Sequence, residues 1–246
     1  MKVSIITVVF NNSSTIRMAI DSVLNQTYKN IEYIVVDGAS TDGTVDIIKS
    51  YGTQISKFIS EPDKGIYNAM NKGVRLASGD FVGILNADDC LYSNDVIQSM
   101  VNRIDDTIDA VYGDVEFFSD KDLSRSVRYY SSKKFNIERF KYGFMPAHPS
   151  FYVRKKYFDL FGCYKEDYRI ASDFDLLIRF LHSNNIKSKY IEMPFVKMRT
   201  GGVSNKNIMS RVLLNKEILR ACKENNIKTN LFNIYSKYFI KIFELR

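Results

Sequence analysis

Short apolar runs alternate with amphipathic segments over the first 105 residues of the chain. The apolar runs lie at residues 3–10, 31–36, 57–60 and 81–85, and the amphipathic segments lie at about 16–24, 44–50, 66–77 and 96–104. The longer runs are nearly continuous and rich in β-branched residues, as expected for strands buried on both faces of a parallel sheet. Apolar residues at helical spacing predict a helix in each amphipathic segment. The alternation predicts an α/β sandwich with a mostly parallel central sheet.

The pattern changes after residue 110. Strand-like segments are expected at 110–118, 126–132, 150–153 and 189–197, with a helix from about 172 to 183. Two further helices are expected in the tail, at about 206–224 and 231–244. Because no internal repeat or low-complexity linker is present, we interpret the chain as one domain over residues 1–204, followed by a C-terminal helical extension over residues 205–246.

The composition is that of an ordinary globular protein. Of the 246 residues, 45% are hydrophobic and 26% are charged, which excludes collagen-like, low-complexity and disordered classes. Three cysteines without a Cys-x-x-Cys pair disfavour disulfides and a thiolate zinc site, and they favour a reducing compartment. No apolar run approaches the roughly 18–20 residues of a membrane span. The opening strand lacks the cleavage site of a signal peptide, so we expect a cytoplasmic protein.

The charge is unevenly distributed. The formal net charge is +7, yet residues 1–110 carry 9 basic and 14 acidic side chains, whereas residues 205–246 carry 9 basic and 3 acidic ones. No nucleic-acid-binding module accompanies the basic surplus, so we expect no nucleic-acid partner. The acidic first half suggests a cation site and the basic tail suggests an anionic surface such as phospholipid. The simpler alternative is that both are solvated faces.

Polar clusters follow three of the predicted strands, at residues 10–12, 37–43 and 86–89. Ligands of open α/β sheets bind outside the carboxyl ends of the strands, so the three clusters are expected to converge on one crevice. Neither a Gly-x-Gly-x-x-Gly motif after the first strand nor a Gly-x-x-x-x-Gly-Lys-Ser/Thr motif is present. A Rossmann dinucleotide site and a P-loop are therefore disfavoured.

Two adjacent carboxylates, Asp88 and Asp89, end a predicted buried strand. Such a pair is costly unless a positive charge shares the site. Mg²⁺ typically takes one or two protein carboxylates together with substrate phosphates, so a metal–diphosphate site is one interpretation. The alternative is a turn and helix cap that precedes Ser93, since aspartate favours both positions.

Taken together, these clusters resemble a known family. The segments 3–12, 37–44, 69–73 and 86–89 resemble, in order and spacing, the donor-binding half of family 2 glycosyltransferases with the GT-A fold. The run 61–73 is similar to that of small, non-processive bacterial members that build surface polysaccharides. The resemblance implies a GT-A catalytic domain, a Rossmann-like nucleotide-binding sandwich. Its residues 1–105 would bind the nucleotide sugar and its residues 106–204 the acceptor.

The resemblance also implies roles for single residues. The nucleotide-sugar site would comprise Val8, Phe10, Asn11, Asp37, Ser40, Asn71, Asn86, Asp88 and Arg199. Within it, Val8, Phe10 and Asp37 would hold the nucleobase. Asp88 would approach the ribose, and Asp89, with Asp88 beside it, would bind Mn²⁺ or Mg²⁺ on the donor diphosphate. UDP is favoured because Asp37 can accept the imide hydrogen of uracil; thymine presents the same edge, and guanine stays open.

Inverting transfer also requires a base on the acceptor side. The segment 170–179 resembles the family's Glu-Asp-x-Asp-Leu-x-x-Arg motif, which implies that Asp173 is the catalytic base. Ser172 replaces the usual glutamate of this motif, and Asp175 is the second candidate for the base. The alternative is that Ser172 and Asp173 only cap a helix.

Two other features resemble family elements. His148 lies in a Pro-rich loop whose counterpart contacts donor or acceptor, although a lone histidine is more often structural. Arg199 opens a glycine loop, residues 199–204, that is similar to the loop closing over the donor. Lys64 and Lys72 could meet phosphate or could simply be surface lysines.

These observations favour an inverting, metal-dependent transfer of one sugar from a nucleotide sugar to a saccharide or lipid-linked acceptor in cell-surface polysaccharide synthesis. The chain contains no tryptophan, so it lacks the Gln-x-x-Arg-Trp element of processive members. One alternative is a sugar-phosphate nucleotidyltransferase, which would favour a glycine- and arginine-rich loop after the first strand. Another is a nucleotide-sugar-binding subunit that has lost catalysis, with Ser172 as its support.

The last predicted helix is apolar around most of its circumference. Residues 231–246 leave a narrow polar stripe that includes Lys237 and Lys241. Such a helix can lie on the cytoplasmic face of the inner membrane or join two copies of the chain in a homodimer. Intramolecular packing is the alternative. A lipid-linked acceptor would make membrane contact useful, so we expect peripheral attachment.

Overall fold

A mixed sheet of nine strands forms the centre of the protein in this computed structural model, which describes residues 1–119, 122–200 and 208–243. The strands are β1 (Val3–Val9), β2 (Ile31–Asp37), β3 (Lys57–Ser60), β4 (Phe81–Ile84), β5 (Cys90–Leu91), β6 (Ala110–Ser119), β7 (Asp122–Tyr130), β8 (Tyr152–Arg154) and β9 (Ser188–Arg199). Their order is β3-β2-β1-β4-β8-β6-β9-β5, and β7 pairs with β6. Strands β3, β2, β1 and β4 run parallel, whereas β8 pairs antiparallel with both β4 and β6.

Eight α-helices surround the sheet within the described residues. They are α1 (Ile16–Leu24), α2 (Thr44–Lys49), α3 (Ile66–Leu76), α4 (Val96–Val101), α5 (Lys156–Phe161), α6 (Ser172–Leu177), α7 (Ile208–Glu224) and α8 (Leu231–Phe243). Helix α6 continues into a π-helical segment, Ile178–Ser183. The predicted α/β fold with C-terminal helices is confirmed. The short elements α5 and β5 were not predicted, because six and two residues are too few to establish a period.

Both faces of the parallel strands are covered, which explains their nearly continuous apolar sequences. On β1, Ile6 and Val8 point to one face, whereas Ile5 and Val9 point to the other. The first face packs against α3, α6 and α7, and the second packs against α1 and α4. Residues alternate across a strand with a period of two, so both faces of β1 are mostly apolar, and its polar residues Ser4 and Thr7 are buried with hydrogen-bond partners.

The C-terminal helices pack onto the body of the protein. Ile218, Ala221 and Cys222 of α7 are buried in the core that also contains α6. Ile234 of α8 belongs to the same core, and the Thr229 hydroxyl donates to the carbonyl of Lys141. Among the helices of the described residues, none has both the length and the apolar character that a bilayer span requires.

Candidate functional site

The loops that follow β1 and β2 are joined by hydrogen bonds. Asn11 has a left-handed backbone (φ +47°); its N–H donates to Ser40 Oγ (2.7 Å) and its Oδ1 accepts from the N–H of Thr41 (2.8 Å). Ser13 N–H donates to Asp42 Oδ2 at 2.9 Å. The sequence placed Asn11 and Ser40 in the same site, and the structure brings them into direct contact.

Asp37, the last residue of β2, has a fully buried side chain. Its Oδ2 accepts from the Ser40 N–H (2.9 Å) and from the Ser60 hydroxyl (2.6 Å). Its Oδ1 is also buried and has no hydrogen-bond partner in the described part of the chain. Since a buried acceptor normally has a partner, this oxygen is suited to a donor group of a ligand.

An aromatic ring lies beside Gly38, the residue that follows Asp37. A Cβ atom built on Gly38 would lie 3.3 Å from Cδ2 of Phe10 and 2.5 Å from Oδ2 of Asp63, so Gly38 permits both side chains to approach the backbone. The Phe10 ring is 64% exposed. Val8, in contrast, is buried in the core on the α3 face, so the structure does not place its side chain in the crevice as the sequence predicted.

The third strand end, after β4, reaches the same region. The Thr15 hydroxyl, which follows β1, donates to the Ala87 carbonyl at 2.8 Å. Asn86 Nδ2 donates to Asp89 Oδ2 (2.9 Å), and the N–H of Arg199 donates to Asp89 Oδ1 (3.2 Å). The predicted convergence of the three strand ends is therefore confirmed, and β9 adds Arg199 to them.

Burial strongly perturbs Asp89. This residue is 2% exposed, and burial, followed by the adjacent Asp88 carboxylate, raises its pKa to about 7. Asp88 is half-buried. The register of β9 with β5 pairs Lys197 with Cys90, which carries Arg199 to Asp89. Residues 201–204 of the predicted glycine loop lie outside the described residues.

The two aspartates fit a divalent cation that substrate phosphates also bind. Each Asp89 oxygen accepts one hydrogen bond and retains lone-pair capacity. Burial and then the adjacent Asp88 charge raise the pKa of Asp89, and a bound cation would stabilise the ionised carboxylate against both. Within residues 1–119, 122–200 and 208–243, no group of three or more His, Cys, Asp and Glu side chains could hold a metal. A Mg²⁺-type site with one or two carboxylates needs no such group.

Asp173 lies on the first turn of α6, among aromatic side chains. Its Oδ1 accepts from the N–H of Phe174 at 2.8 Å. Burial, followed by the negative charge of Glu217, raises the pKa of Asp173 to about 6. The rings of Tyr67 and Tyr164 stack nearby with centroids 6.0 Å apart, and burial and then the Asp173 charge raise the pKa of both tyrosines. A carboxylate with a pKa near neutrality is suited to proton transfer.

Asp175, the second candidate for the base, is fully buried in ion pairs. Its Oδ1 contacts Lys165 Nζ at 2.9 Å and its Oδ2 contacts Arg179 Nε at 2.8 Å. Asn225 of the segment after α7 also donates to Oδ1 at 3.0 Å. The two cations and the amide hold this carboxylate in place.

Asn71 is not at the strand ends. Its Nδ2 donates to the Tyr164 carbonyl (2.8 Å) and to Glu166 Oε1 (2.9 Å), and its Oδ1 accepts from the Tyr164 N–H (2.9 Å). Both amide hydrogens are thus used to hold the loop after α5. The asparagine therefore anchors the loop that carries Tyr164, and its contact with the donor stays a prediction.

His148 also contacts Tyr164. Its Nε2 lies 2.8 Å from the Tyr164 hydroxyl, and burial lowers the histidine pKa to about 4. The neutral ring is therefore structural at neutral pH. Lys72 is held by Glu61 (2.8 Å) and by the Pro62 carbonyl (2.9 Å).

A cleft of about 410 Å³ lies between the start of α3 and the loop before α6. Residues 64–68 line one side and residues 166–169 line the other. Tyr67 belongs both to this cleft and to the surroundings of Asp173. Sequence reasoning missed Tyr67 and Tyr164, because the sequence does not show which groups a tyrosine in a helix or a loop contacts.

Residues 4–161 match the family model described as "Glycosyl transferase family 2". The protein belongs to glycosyltransferase family 2. A "PGL/p-HBAD biosynthesis glycosyltransferase" of Mycobacterium bovis (strain BCG) is 30% identical to this glycosyltransferase over 223 residues, which cover 88% of this chain and 82% of that protein. An uncharacterized glycosyltransferase of Rickettsia typhi is 33% identical over 196 residues, 75% of this chain and 60% of that protein.

Solved structures share the fold. S. aureus TarS 1–349 superposes with a TM-score of 0.70 and 19% identity over 97% of this chain and 72% of that one; it has also been solved with UDP-GlcNAc. The mannosyltransferase PcManGT from Pyrobaculum calidifontis, in complex with GDP-Man and Mn²⁺, has a TM-score of 0.67 and 19% identity over 93% of this chain and 65% of that one. The predicted GT-A fold is confirmed, and the nucleotidyltransferase alternative is set aside.

Proposed function

We propose that this glycosyltransferase is an inverting, metal-dependent enzyme that transfers one sugar from a UDP-sugar to a saccharide or lipid-linked acceptor in cell-surface polysaccharide synthesis. The observation that carries the proposal is that hydrogen bonds join the loops after β1, β2 and β4, and that two of these strand ends carry the buried Asp37 and Asp89. One offers a carboxylate oxygen without a partner among the described residues, and the other has a raised pKa.

The nucleobase is assigned to Asp37 and Phe10. Uracil presents an imide N–H, which the buried Oδ1 of Asp37 can accept, and the exposed Phe10 ring lies close enough to cover the base. Stacking on an aromatic ring favours any base, so the hydrogen bond provides the discrimination. TarS has been solved with UDP and PcManGT with GDP-Man, so both nucleotides belong in the test.

The donor phosphates are assigned to the Asp88–Asp89 end of β4. Asp89 would hold Mn²⁺ or Mg²⁺ with the diphosphate, and the half-buried Asp88 would reach the ribose. When bound, the cation supplies Lewis-acid stabilisation of the charge on the departing nucleoside diphosphate. Arg199, whose backbone N–H donates to Asp89, would add a second positive charge through its guanidinium.

Asp173 is assigned as the base. Its carboxylate takes the proton of the acceptor hydroxyl while the hydroxyl oxygen bonds to the anomeric carbon and the bond to the UDP oxygen breaks on the opposite side, which inverts the configuration. The cleft between residues 64–68 and 166–169 would hold the acceptor, because Tyr67 links it to Asp173.

Helix α8 is proposed to contact the cytoplasmic face of the membrane. Phe232 is 83% exposed, and Leu231 and Tyr235 are exposed beside it, while Ile234 packs inward. An exposed apolar face on a basic helical extension suits an anionic lipid surface that presents a lipid-linked acceptor. A homodimer through the same face is the competing proposal.

A thermal-shift panel of UDP, GDP and dTDP, each with and without Mn²⁺, tests the donor assignment. We expect the largest stabilisation from UDP with Mn²⁺, since a ligand that binds the folded state raises its stability. Asp37→Asn, which replaces one acceptor oxygen by a donor, should reduce the response to UDP. Ser60→Ala, which removes a partner of the other Asp37 oxygen, should reduce it less. A larger response to GDP, or one independent of Mn²⁺, would contradict the proposal.

A further inference from the structure

Glu217 of α7 binds the backbone that leads into the helix of Asp173. Its Oε1 accepts from the N–H of Arg169 (2.8 Å), and its Oε2 accepts from the N–H groups of Ile170 and Ala171 (both 2.9 Å). The side chain is 7% exposed. One buried carboxylate of the C-terminal extension thus accepts three consecutive backbone N–H groups, and Asp173 follows two residues later.

The titratable side chains that face Asp173 come from three elements. Tyr67 faces it from α3, Tyr164 from the loop after α5, and Glu217 from α7; the charge of Glu217 is a cause of the raised pKa of Asp173. The two tyrosines have raised pKa values and stay neutral near pH 7. Glu217 is therefore the acidic side chain whose charge acts on Asp173 from a neighbouring element.

A second glutamate of α7 provides a comparison. Glu224 accepts from Lys165 Nζ (2.8 Å), from the Tyr168 hydroxyl (2.9 Å) and from Arg220 Nε (2.6 Å), so two cations neutralise its charge. The contacts described for Glu217 are backbone N–H groups and include no cation. Its negative charge is therefore less compensated, although both residues hold the same loop.

We propose that Glu217 is a positioning residue for the catalytic base: it fixes the backbone before α6 and keeps a negative charge beside the Asp173 carboxylate, so that this carboxylate stands ready to accept a proton from the acceptor hydroxyl. The inference rests on the proposed function of Asp173 as the base. It gives α7 a role at the active site, although this helix contributes no residue to the proposed nucleotide-sugar site.

Titration of Asp173 by carboxyl ¹³C NMR tests the proposal on the full-length protein without any substrate. The signal is assigned by its loss in Asp173→Asn. Glu217→Gln keeps an acceptor oxygen for the backbone but removes the charge, so the Asp173 midpoint should fall below about 6, while burial, the larger cause, keeps it above the ordinary aspartate value of about 3.9. Glu224→Gln, the matched control on the same helix, should leave the Asp173 midpoint unchanged.

Equal Asp173 midpoints in the wild type and in folded Glu217→Gln would overturn the proposal, as would an equal fall in Glu224→Gln. Glu217→Asp covers the case in which Glu217→Gln does not fold: it retains the charge, so the midpoint should stay near that of the wild type, and a clear fall would contradict the electrostatic part. A shifted midpoint together with full sugar transfer by Asp173→Asn would leave the coupling intact and remove the base assignment.

Discussion

At the level of single residues, two carboxyl groups of the same chain have pKa values shifted in opposite directions, although burial raises the pKa of both. Glu32 is 3% exposed, yet hydrogen bonds from Ser4, Ser78 and Lys57 outweigh its burial and hold its pKa well below the usual range. Asp173 accepts only local backbone hydrogen bonds, so burial dominates and its pKa rises to about 6. The hydrogen-bond partners of a carboxyl group, more than its degree of burial, decide whether it is available for proton transfer.

Asp173→Asn should leave UDP affinity near that of the wild type and lower the rate of sugar transfer by roughly 10²–10⁴-fold, the range typical of a lost general base. In the wild type the rate should rise with pH through about 6, because a base must be deprotonated to act and the Asp173 pKa is about 6. The measurements are calorimetric UDP binding and the initial rate of transfer between pH 4.5 and 8.

Asp175→Asn is the matched control for this experiment. It removes the carboxylate that pairs with Lys165 and Arg179, so it should lower the free energy of unfolding by about 3–5 kcal/mol, the usual effect of breaking a buried ion pair. Full activity in Asp173→Asn would contradict the assignment of Asp173 as the base. An unchanged free energy of unfolding in Asp175→Asn would contradict the structural role of Asp175.

Asp89→Asn should abolish the Mn²⁺-dependent part of the response to UDP and should also stabilise the metal-free protein. The pKa of Asp89 is raised to about 7 in the folded state, so the ionised group destabilises the fold fully above pH 7 and progressively less as the pH falls toward its unfolded value of about 3.9. The gain in melting temperature should therefore be larger at pH 8 than at pH 5. A gain that is absent, or larger at pH 5, would exclude this electrostatic strain.

At the level of elements, the packing of α3 against β1 depends on one small residue. A Cβ atom on Gly73 would lie 2.3 Å from Cγ2 of Ile6. The glycine therefore sets the distance between the helix and the strand whose end carries Asn11. The same helix supplies Tyr67 and Asn71, so its seating positions both the aromatic surroundings of Asp173 and the loop after α5.

Gly73→Ala should lower the free energy of unfolding in urea. Overpacking costs about 1–3 kcal/mol, whereas replacing glycine by alanine in a helix contributes about 1 kcal/mol in the other direction. Ile6→Ala removes the clashing methyl group, so the double variant should be more stable than the sum of the two single changes predicts. Additive effects, or a more stable Gly73→Ala, would show that helix and strand do not meet as closely as the structure has them.

Element prediction succeeded where the chemical pattern was local. The alternation in β1 and β2 and the spacing in α1 and α3 identify these elements without any partner. Helix α5 was missed because its six residues, Lys156–Phe161, hold their place through contacts such as the edge-to-face contact of Phe158 with Phe180 and its tilted contact with Tyr164. A local sequence pattern does not show contacts of this kind.

At the level of the whole molecule, the C-terminal extension has an inner side that packs against the core and an outer side that is exposed. Its inner side closes the core through Ile218 and Ile234 and holds the loop before α6 through Glu217. Its outer side exposes Leu231 and Phe232. Truncation near residue 229 would remove Ile234 from the core together with the exposed face, so single-site variants separate folding from surface binding better than truncation does.

Leu231→Ser/Phe232→Ser should reduce co-flotation with vesicles of phosphatidylglycerol and phosphatidylcholine, because it removes the apolar side chains that would enter the lipid interface. Met209→Ser is the control, since Met209 is 75% exposed on α7, outside the proposed face. Equal flotation of all three proteins would rule out membrane contact through α8. A loss of dimer in sedimentation, with flotation unchanged, would favour the homodimer instead.

The sequence by itself determined the alternation of strands and helices in the first 105 residues and the acidic strand ends, because apolar periodicity and the position of polar residues after strands are properties of neighbouring residues. The GT-A fold was implied by the resemblance of its motifs to a known family. Only the tertiary structure decided that Asp175 is held by Lys165 and Arg179, that Asn71 anchors a loop, and that Glu217 lies beside the backbone of Ala171, 46 residues away. The physical reason is that the charge state and reach of a polar group depend on its partners in space, and chain folding alone brings those partners together.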